Sequence, residues 1–317
     1  MTVASPLRTV VGGLSFQNPI VLAAGTAGYG RELVDVMRLD ALGGLVTKAV
    51  SLLARTGASA PRVAEFDGGM INAVGLANPG VAAVCKEQVP WLAAHLAATR
   101  KIVNVVGFAV EEYSAVVARL ETALVGSDEA AVDAFELNVS CPNVKAGGME
   151  FGSDPSALEA VVAGVRRVTR RPVFVKLSPA LANIGEAALI AADAGADAIS
   201  VVNTIPGLVI DVEHRRPALG FGSGGVSGPA ILPVGVLATW KVRRAVRLPI
   251  LGLGGVQTAN DALQYILAGA SLVGIGTGAM RNPRAPERIV DDLDAWCRKH
   301  AVHNVQELSG TLEWPAE

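Results

Sequence analysis

Eight short runs rich in valine, isoleucine and leucine recur along the chain, each followed by a stretch with helical spacing of its apolar residues. The runs are PIVLAAG (19–25), GGLVTKAV (43–50), KIVNVVGF (101–108), AFELNVSC (134–141), PVFVKLS (172–178), AISVVNT (198–204), PILGLGG (249–255) and LVGIGTG (272–278). They are nearly continuous in apolar residues rather than alternating, the pattern of parallel strands buried on both faces. Helical patterns at 31–39, 88–99, 111–124, 156–169, 184–195, 234–246, 259–269 and 286–300 separate them, several ending in glycine or basic residues that stop helices. With no low-complexity linker, these repeats predict one α/β domain over residues 1–317, a (β/α)8 TIM barrel. A doubly wound sheet is the alternative, but no G-x-G-x-x-G follows the first run.

The composition suits a large aliphatic core and excludes several classes of function. Of 317 residues, 51% are apolar and only 18% charged, too apolar for a disordered chain. Lys+Arg is 27 against 29 Asp+Glu, so no basic excess exists to condense on nucleic acid or an anionic membrane. No signal peptide is read at the N-terminus, and no run of 18 or more apolar residues predicts a membrane span. Cys85, Cys141 and Cys297 are odd in number and far apart. That argues against a disulfide framework or an iron–sulfur cluster held by this chain alone, and points to a reducing cytoplasm. His300 and His303 read as a solvated helix end, so no metal site is expected.

Two connections are long, 51–80 and 205–233, and in a barrel both would lie over the C-terminal face, where active sites are built. Polar residues at the strand ends converge there. They are Lys48, Asn104, Asn138 with Cys141, Lys176, and Asn203 with Thr204. GLGG (252–255) and GIGTGA (274–279) end the last two runs, where barrels commonly bind phosphate on backbone N–H groups. Lys176 beside such an anchored group could stabilise a reduced flavin, or form a Schiff base as aldolases do. Cys141 could be a small buried hydrophobe, or a general base whose unperturbed pKa of about 8.5 leaves it mostly protonated at neutral pH. Cys85 and Cys297 read as helix residues. Asn72 and Asn78, in MINAVGLANPG (70–80), offer amides that suit a planar ligand with several carbonyls, or simply a turn cluster.

Taken together, NPIVLAAGTAGYG, TKAVS, PRVAE, GMINAVGLANPG, NVSCPNVKAGG, FVKLSP, NTIPG, GGVSGPAI, GLGGV and GIGTGAM resemble the dihydroorotate dehydrogenase family over nearly the whole chain. The cysteine of NVSCPN resembles class 1, and the K-x-G-G that follows resembles the NAD-linked 1B type. The resemblance implies FMN-dependent oxidation of dihydroorotate to orotate in pyrimidine biosynthesis. Cys141 would take the proton from carbon 5 while hydride leaves carbon 6 for the flavin beside Lys176. FMN would contact Ala24, Gly25, Lys48, Ala49, Asn104, Asn138, Lys176, Val202, Gly228, Gly254, Gly255, Gly276 and Thr277. Substrate would contact Lys48, Asn72, Ala73, Val74, Gly75, Leu76, Asn138, Asn203 and Thr204. The resemblance further implies a homodimeric core with a partner subunit carrying FAD and an iron–sulfur cluster. The chain departs from the family pattern at Ala27, Ala77, Pro206 and Leu232. A paralogue acting on a related dihydropyrimidine, a flavin-free lyase using Lys176, and a non-catalytic ligand-binding barrel are the alternatives.

Overall fold

Eight parallel strands close into a barrel in the computed structural model, which describes residues 5–125, 129–140, 142–143 and 149–315. The strands are β1 (Ile20–Leu22), β2 (Gly44–Val46), β3 (Arg100–Val105), β4 (Ala134–Asn138), β5 (Val173–Leu177), β6 (Ala198–Val201), β7 (Ile250–Leu253) and β8 (Leu272–Ile275). Each pairs with its sequence neighbours, and β8 pairs with β1 to close the ring. The fold is therefore the expected (β/α)8 barrel. Among the described residues no helix is long and apolar enough to cross a membrane.

The helices are α1 (Val81–Ala83), α2 (Val89–His95), α3 (Val110–Leu124), α4 (Pro155–Arg166), α5 (Ile184–Asp193), α6 (Leu232–Ala245), α7 (Ala259–Ala268), α8 (Thr277–Arg281) and α9 (Ala285–Lys299). Local signals set their starts. Asp154 caps α4 by accepting from Ser156 N and Ala157 N, and Thr258 and Asp261 form a capping box on α7. Two predicted helices differ. The 88–99 segment begins earlier, at α1, and a π turn (Val84–Gln88) joins α1 to α2. Pro90 explains the widened turn, since it has no N–H to donate and its ring crowds the carbonyl four residues back. The 31–39 segment is no α-helix, only 3-10 turns at Arg31–Leu33 and Leu39–Ala41. Its Leu33, Met37 and Leu39 pack on the core, but Val34 and Val36 are exposed, so the apolar positions are met by two short turns rather than by one helical face.

A hairpin, Thr9–Val11 with Leu14–Phe16, closes the floor of the barrel. Gly12 and Gly13 turn it with φ of +57° and +78°, the pair of left-handed residues that a tight two-residue turn requires. Val11 and Phe16 join the inward side chains Val21, Val46, Ile102, Ala134, Phe174 and Ala198 in one buried cluster. Strand alternation then sets the next inward positions two residues along. These are Asn104, Glu136, Lys176 and Ser200, a buried polar layer above an apolar one.

Both long connections fold over the mouth. Val63–Phe66 and Gly69–Asn72 from the first pair with Gly224–Ser227 and Ile205–Gly207 from the second, forming a four-stranded antiparallel rim sheet. The sequence pattern had marked these stretches only as long loops.

Candidate active site

The barrel mouth and the rim sheet enclose a cavity of about 780 Å³. Every strand end contributes to its wall. Ala24 and Gly25 follow β1, Lys48 and Ala49 follow β2, Asn104 lies on β3, Asn138 on β4 and Lys176 on β5. Val202, Asn203 and Thr204 follow β6, Gly254 and Gly255 follow β7, and Gly276 and Thr277 follow β8. Asn72, Ala73, Val74, Gly75, Leu76 and Gly228 come from the rim-sheet connections. All the residues the resemblance assigns to FMN or substrate thus meet in one cavity; of the other candidates, Asn78 lies off its wall and Cys141 lies outside the described residues.

Hydrogen bonds fix which face each amide presents. Asn138 Oδ1 accepts from Asn203 Nδ2 at 3.2 Å and from Ser140 N at 3.3 Å. Its oxygen is therefore engaged, leaving the amide N–H groups as donors. Asn203 Oδ1 accepts from Thr204 N at 2.9 Å. The Tyr113 hydroxyl donates to Asn138 O at 2.9 Å, tying the end of β4 to α3. Asn78 proves to be a loop anchor. Its side chain bonds Ser51 N, Ser51 Oγ, Gly80 N and Leu76 O, and it does not line the cavity. Its bond to Leu76 O helps hold Leu76 at φ of +57°, and left-handed backbone at a leucine is a strained state that surrounding structure must enforce.

The turns after β7 and β8 bring Gly254, Gly255 and Gly276 to the cavity wall beside Ser227 and Thr277. The Thr277 hydroxyl donates to Ser227 Oγ at 2.8 Å, and the Tyr265 hydroxyl donates to Gly254 O at 2.7 Å, pinning the turn after β7. Burial pushes the Tyr265 phenol above its ordinary value, so it remains a donor. Gly255 has φ +77°, and a side chain there would collide with the backbone of Leu232 at 2.7 Å.

The charged side chains on the wall are Lys48, Lys176, Arg55 and Glu150. Lys48 and Lys176 form no ion pair among the described residues, although Lys176 is only 6% exposed. Arg55 stacks over the Phe108 ring, its guanidinium carbon 4.0 Å from the centroid. Burial pushes the Glu150 carboxyl up, with a Ser178 hydrogen bond opposing. A mouth so weighted toward cations suits an anionic ligand. Arg55, Glu150, Glu136, Ser227 and Tyr265 were not singled out from the sequence. Only Glu136 left a signal there, as a lone charge inside an apolar run, two residues before Asn138.

The sequence matches the family model described as dihydroorotate dehydrogenase over residues 6–296. The chain belongs to the dihydroorotate dehydrogenase family. Among its relatives is a protein of Pelobacter propionicus, 45% identical over 301 residues, which cover 95% of this chain and 96% of that one. A protein of Desulforudis audaxviator is 46% identical over 300 residues, 95% of each chain, and one of Geobacter sp. strain M21 is 42% identical over 307 residues, 97% and 98%. All three are named dihydroorotate dehydrogenase B (NAD(+)), catalytic subunit.

Proposed function

We propose that this chain oxidises dihydroorotate to orotate in pyrimidine biosynthesis, with FMN bound across the barrel mouth. The observation that carries the reading is the buried Lys176, without an ion pair among the described residues, on one cavity wall with the Asn104, Asn138 and Asn203 amides and the glycines that follow β7 and β8. The residues present fit such a group. Asn104 Oδ1 is buried without a partner among the described residues, and Gly25, at φ +83°, has nothing within 4 Å of where a Cβ would stand. Gly228, Gly254, Gly255, Gly276 and Thr277 would hold the phosphate end by backbone N–H groups and a hydroxyl. Ala24, Gly25, Lys48, Ala49, Asn104, Asn138, Lys176 and Val202 would surround the ring. When bound, FMN would supply the two-electron acceptor for hydride leaving carbon 6.

The protein's own residues do the rest. Lys176 places a cation where negative charge accumulates on reduction, and a charge already fixed in a dry site needs no reorganisation at that moment. Asn72, Asn138, Asn203 and Thr204 orient the flat substrate, with the Asn138 amide donating to a carbonyl. Lys48 opposes its carboxylate. The segment from Ala73 to Leu76 covers it and excludes water. Cys141 removes the carbon 5 proton as the carbon 5–carbon 6 double bond forms. The relatives' designation as a catalytic subunit supports a separate electron-transfer subunit, which we assign FAD and an iron–sulfur cluster, around a homodimeric core in the cytoplasm. The test is anaerobic mixing of the purified flavoprotein with dihydroorotate. The flavin bleaches, and Cys141→Ser retains flavin yet bleaches about 10²- to 10⁴-fold more slowly at neutral pH, the usual worth of a positioned base. Equal rates in the two proteins would remove Cys141 from its role.

A further inference from the structure

Glu136 is a carboxylate only 1% exposed, in the middle of β4 and facing the barrel interior. The proposed chemistry does not use it. Among the described residues its hydrogen-bond partner is Asn104 on the neighbouring strand, directly across the ladder, whose Nδ2 donates to Glu136 Oε1 at 2.7 Å. The Glu136 oxygen accepts this bond, so it fixes which way the Asn104 amide faces. The NH₂ group must point at Glu136, and the carbonyl oxygen must point away from it. That oxygen, Asn104 Oδ1, is buried and has no partner among the described residues, while Asn104 itself forms part of the cavity wall. A buried acceptor left unmatched is costly, and native proteins retain one where a ligand group completes it. Asn104 has little other freedom, because its backbone N–H is held by Thr47 Oγ1 at 3.2 Å.

We infer that Glu136 is a positioning residue that locks the Asn104 carbonyl toward the cavity as an acceptor for a ring N–H of the bound flavin. The inference rests on the FMN reading above and deepens it. With a carboxylate behind it, Asn104 cannot turn its NH₂ group to the ring, so a flavin N–H is matched and a carbonyl at that point is refused. Glu136 is buried in the same inward layer as Lys176, on the neighbouring strand, so a carboxylate there opposes the lysine's charge.

The experiment uses FMN itself, titrated onto apoprotein prepared from wild type, Glu136→Gln, Asn104→Ala and the double variant. Glutamine preserves shape but can present either end to Asn104, so the amide is no longer fixed. The expected result is that Glu136→Gln weakens FMN binding about tenfold, the worth of one well-placed hydrogen bond. The midpoint potential of its bound flavin becomes more positive, because a buried negative charge near the reduced ring is gone. In the Asn104→Ala background the same change alters the FMN Kd by less than about twofold, since residues acting as a unit are non-additive. A role confined to barrel packing would weaken binding equally in both backgrounds. Should Glu136→Gln alone fail to fold, comparing Asn104→Ala with the double variant decides the matter on its own. The inference is overturned if Glu136→Gln binds FMN as wild type does, or if the double variant loses a further tenfold. Wild-type protein that takes up no FMN would instead overturn the function proposed above, a result visible before any variant is made.

Discussion

Phe174 and Lys176 stand two residues apart on β5, on the same face, and both are buried, yet they belong to different halves of the molecule. Phe174 lies in the floor, sharing a cluster with Val11 and Phe16 of the closing hairpin. Lys176 lines the mouth, under a rim sheet whose strands are short and rich in glycine. The barrel thus divides stability and chemistry along its axis by the alternation of its strands. The floor can be filled to native density because the hairpin completes it. The mouth carries polar groups that only a ligand can match.

The largest expected effect of a substitution falls on the floor. Phe174→Ala should cost about 3–5 kcal/mol of unfolding free energy, because the removed ring leaves a cavity between hairpin and strands that cannot collapse. Chemical denaturation measures it. The specific rate of flavin reduction in the protein that stays folded should be little changed. A large loss of rate per folded molecule would break the division, showing that floor packing sets mouth geometry.

Lys176→Met probes the other half. The thioether chain keeps the stem's bulk and removes the charge. Flavin reduction by dihydroorotate should slow by about 10²–10³, the range for removing one fixed electrostatic contact. Thermal stability should not fall, since a buried cation without an ion pair among the described residues is itself unfavourable to the fold. Stopped-flow absorbance and a melting curve give both readings. A variant with normal kinetics and lowered stability would make Lys176 part of the scaffold.

The same division explains what could be read from the amino acids. The eight strands were visible because burial on both faces leaves runs such as VFVKLS and LVGIG almost free of polar residues. Lys48, Asn104, Asn138, Lys176 and Asn203 were visible because a polar residue closing such a run has nowhere to point but the mouth. The rim sheet was not visible. VAEF, GMIN, IPG and GGVS are three or four residues long and lack a clear alternation, and their pairing joins connections far apart in sequence. The 3-10 turns over 31–41 were missed because RELVDVMRL has helical spacing, although only Leu33, Met37 and Leu39 pack on the core while Val34 and Val36 stay exposed. Arg55 and Glu150 come to the cavity only through tertiary folding. The base assigned to Cys141 lies outside the described residues and is carried by the resemblance of NVSCPN alone.

The smallest expected effect concerns Glu150, the carboxyl on the mouth's wall. Burial pushes it above the ordinary carboxylate range, and a hydrogen bond from Ser178 opposes this only in part. Folded protein therefore holds this proton more tightly than the unfolded chain does. The resulting stability is fully present below the unfolded carboxylate's pKa and is lost as pH rises through the folded one. Glu150→Gln cannot titrate, so its melting temperature should fall less steeply than wild type's as pH rises across that interval. The difference should be slight, because the carboxyl is only half-buried and solvent screens much of its penalty. Melting curves of both proteins at matched pH steps measure it. Coincident profiles would show that Glu150 is solvated like any rim residue. The mouth's electrostatic contrast with the floor would then rest on the lysines and on the Asn104–Glu136 pair.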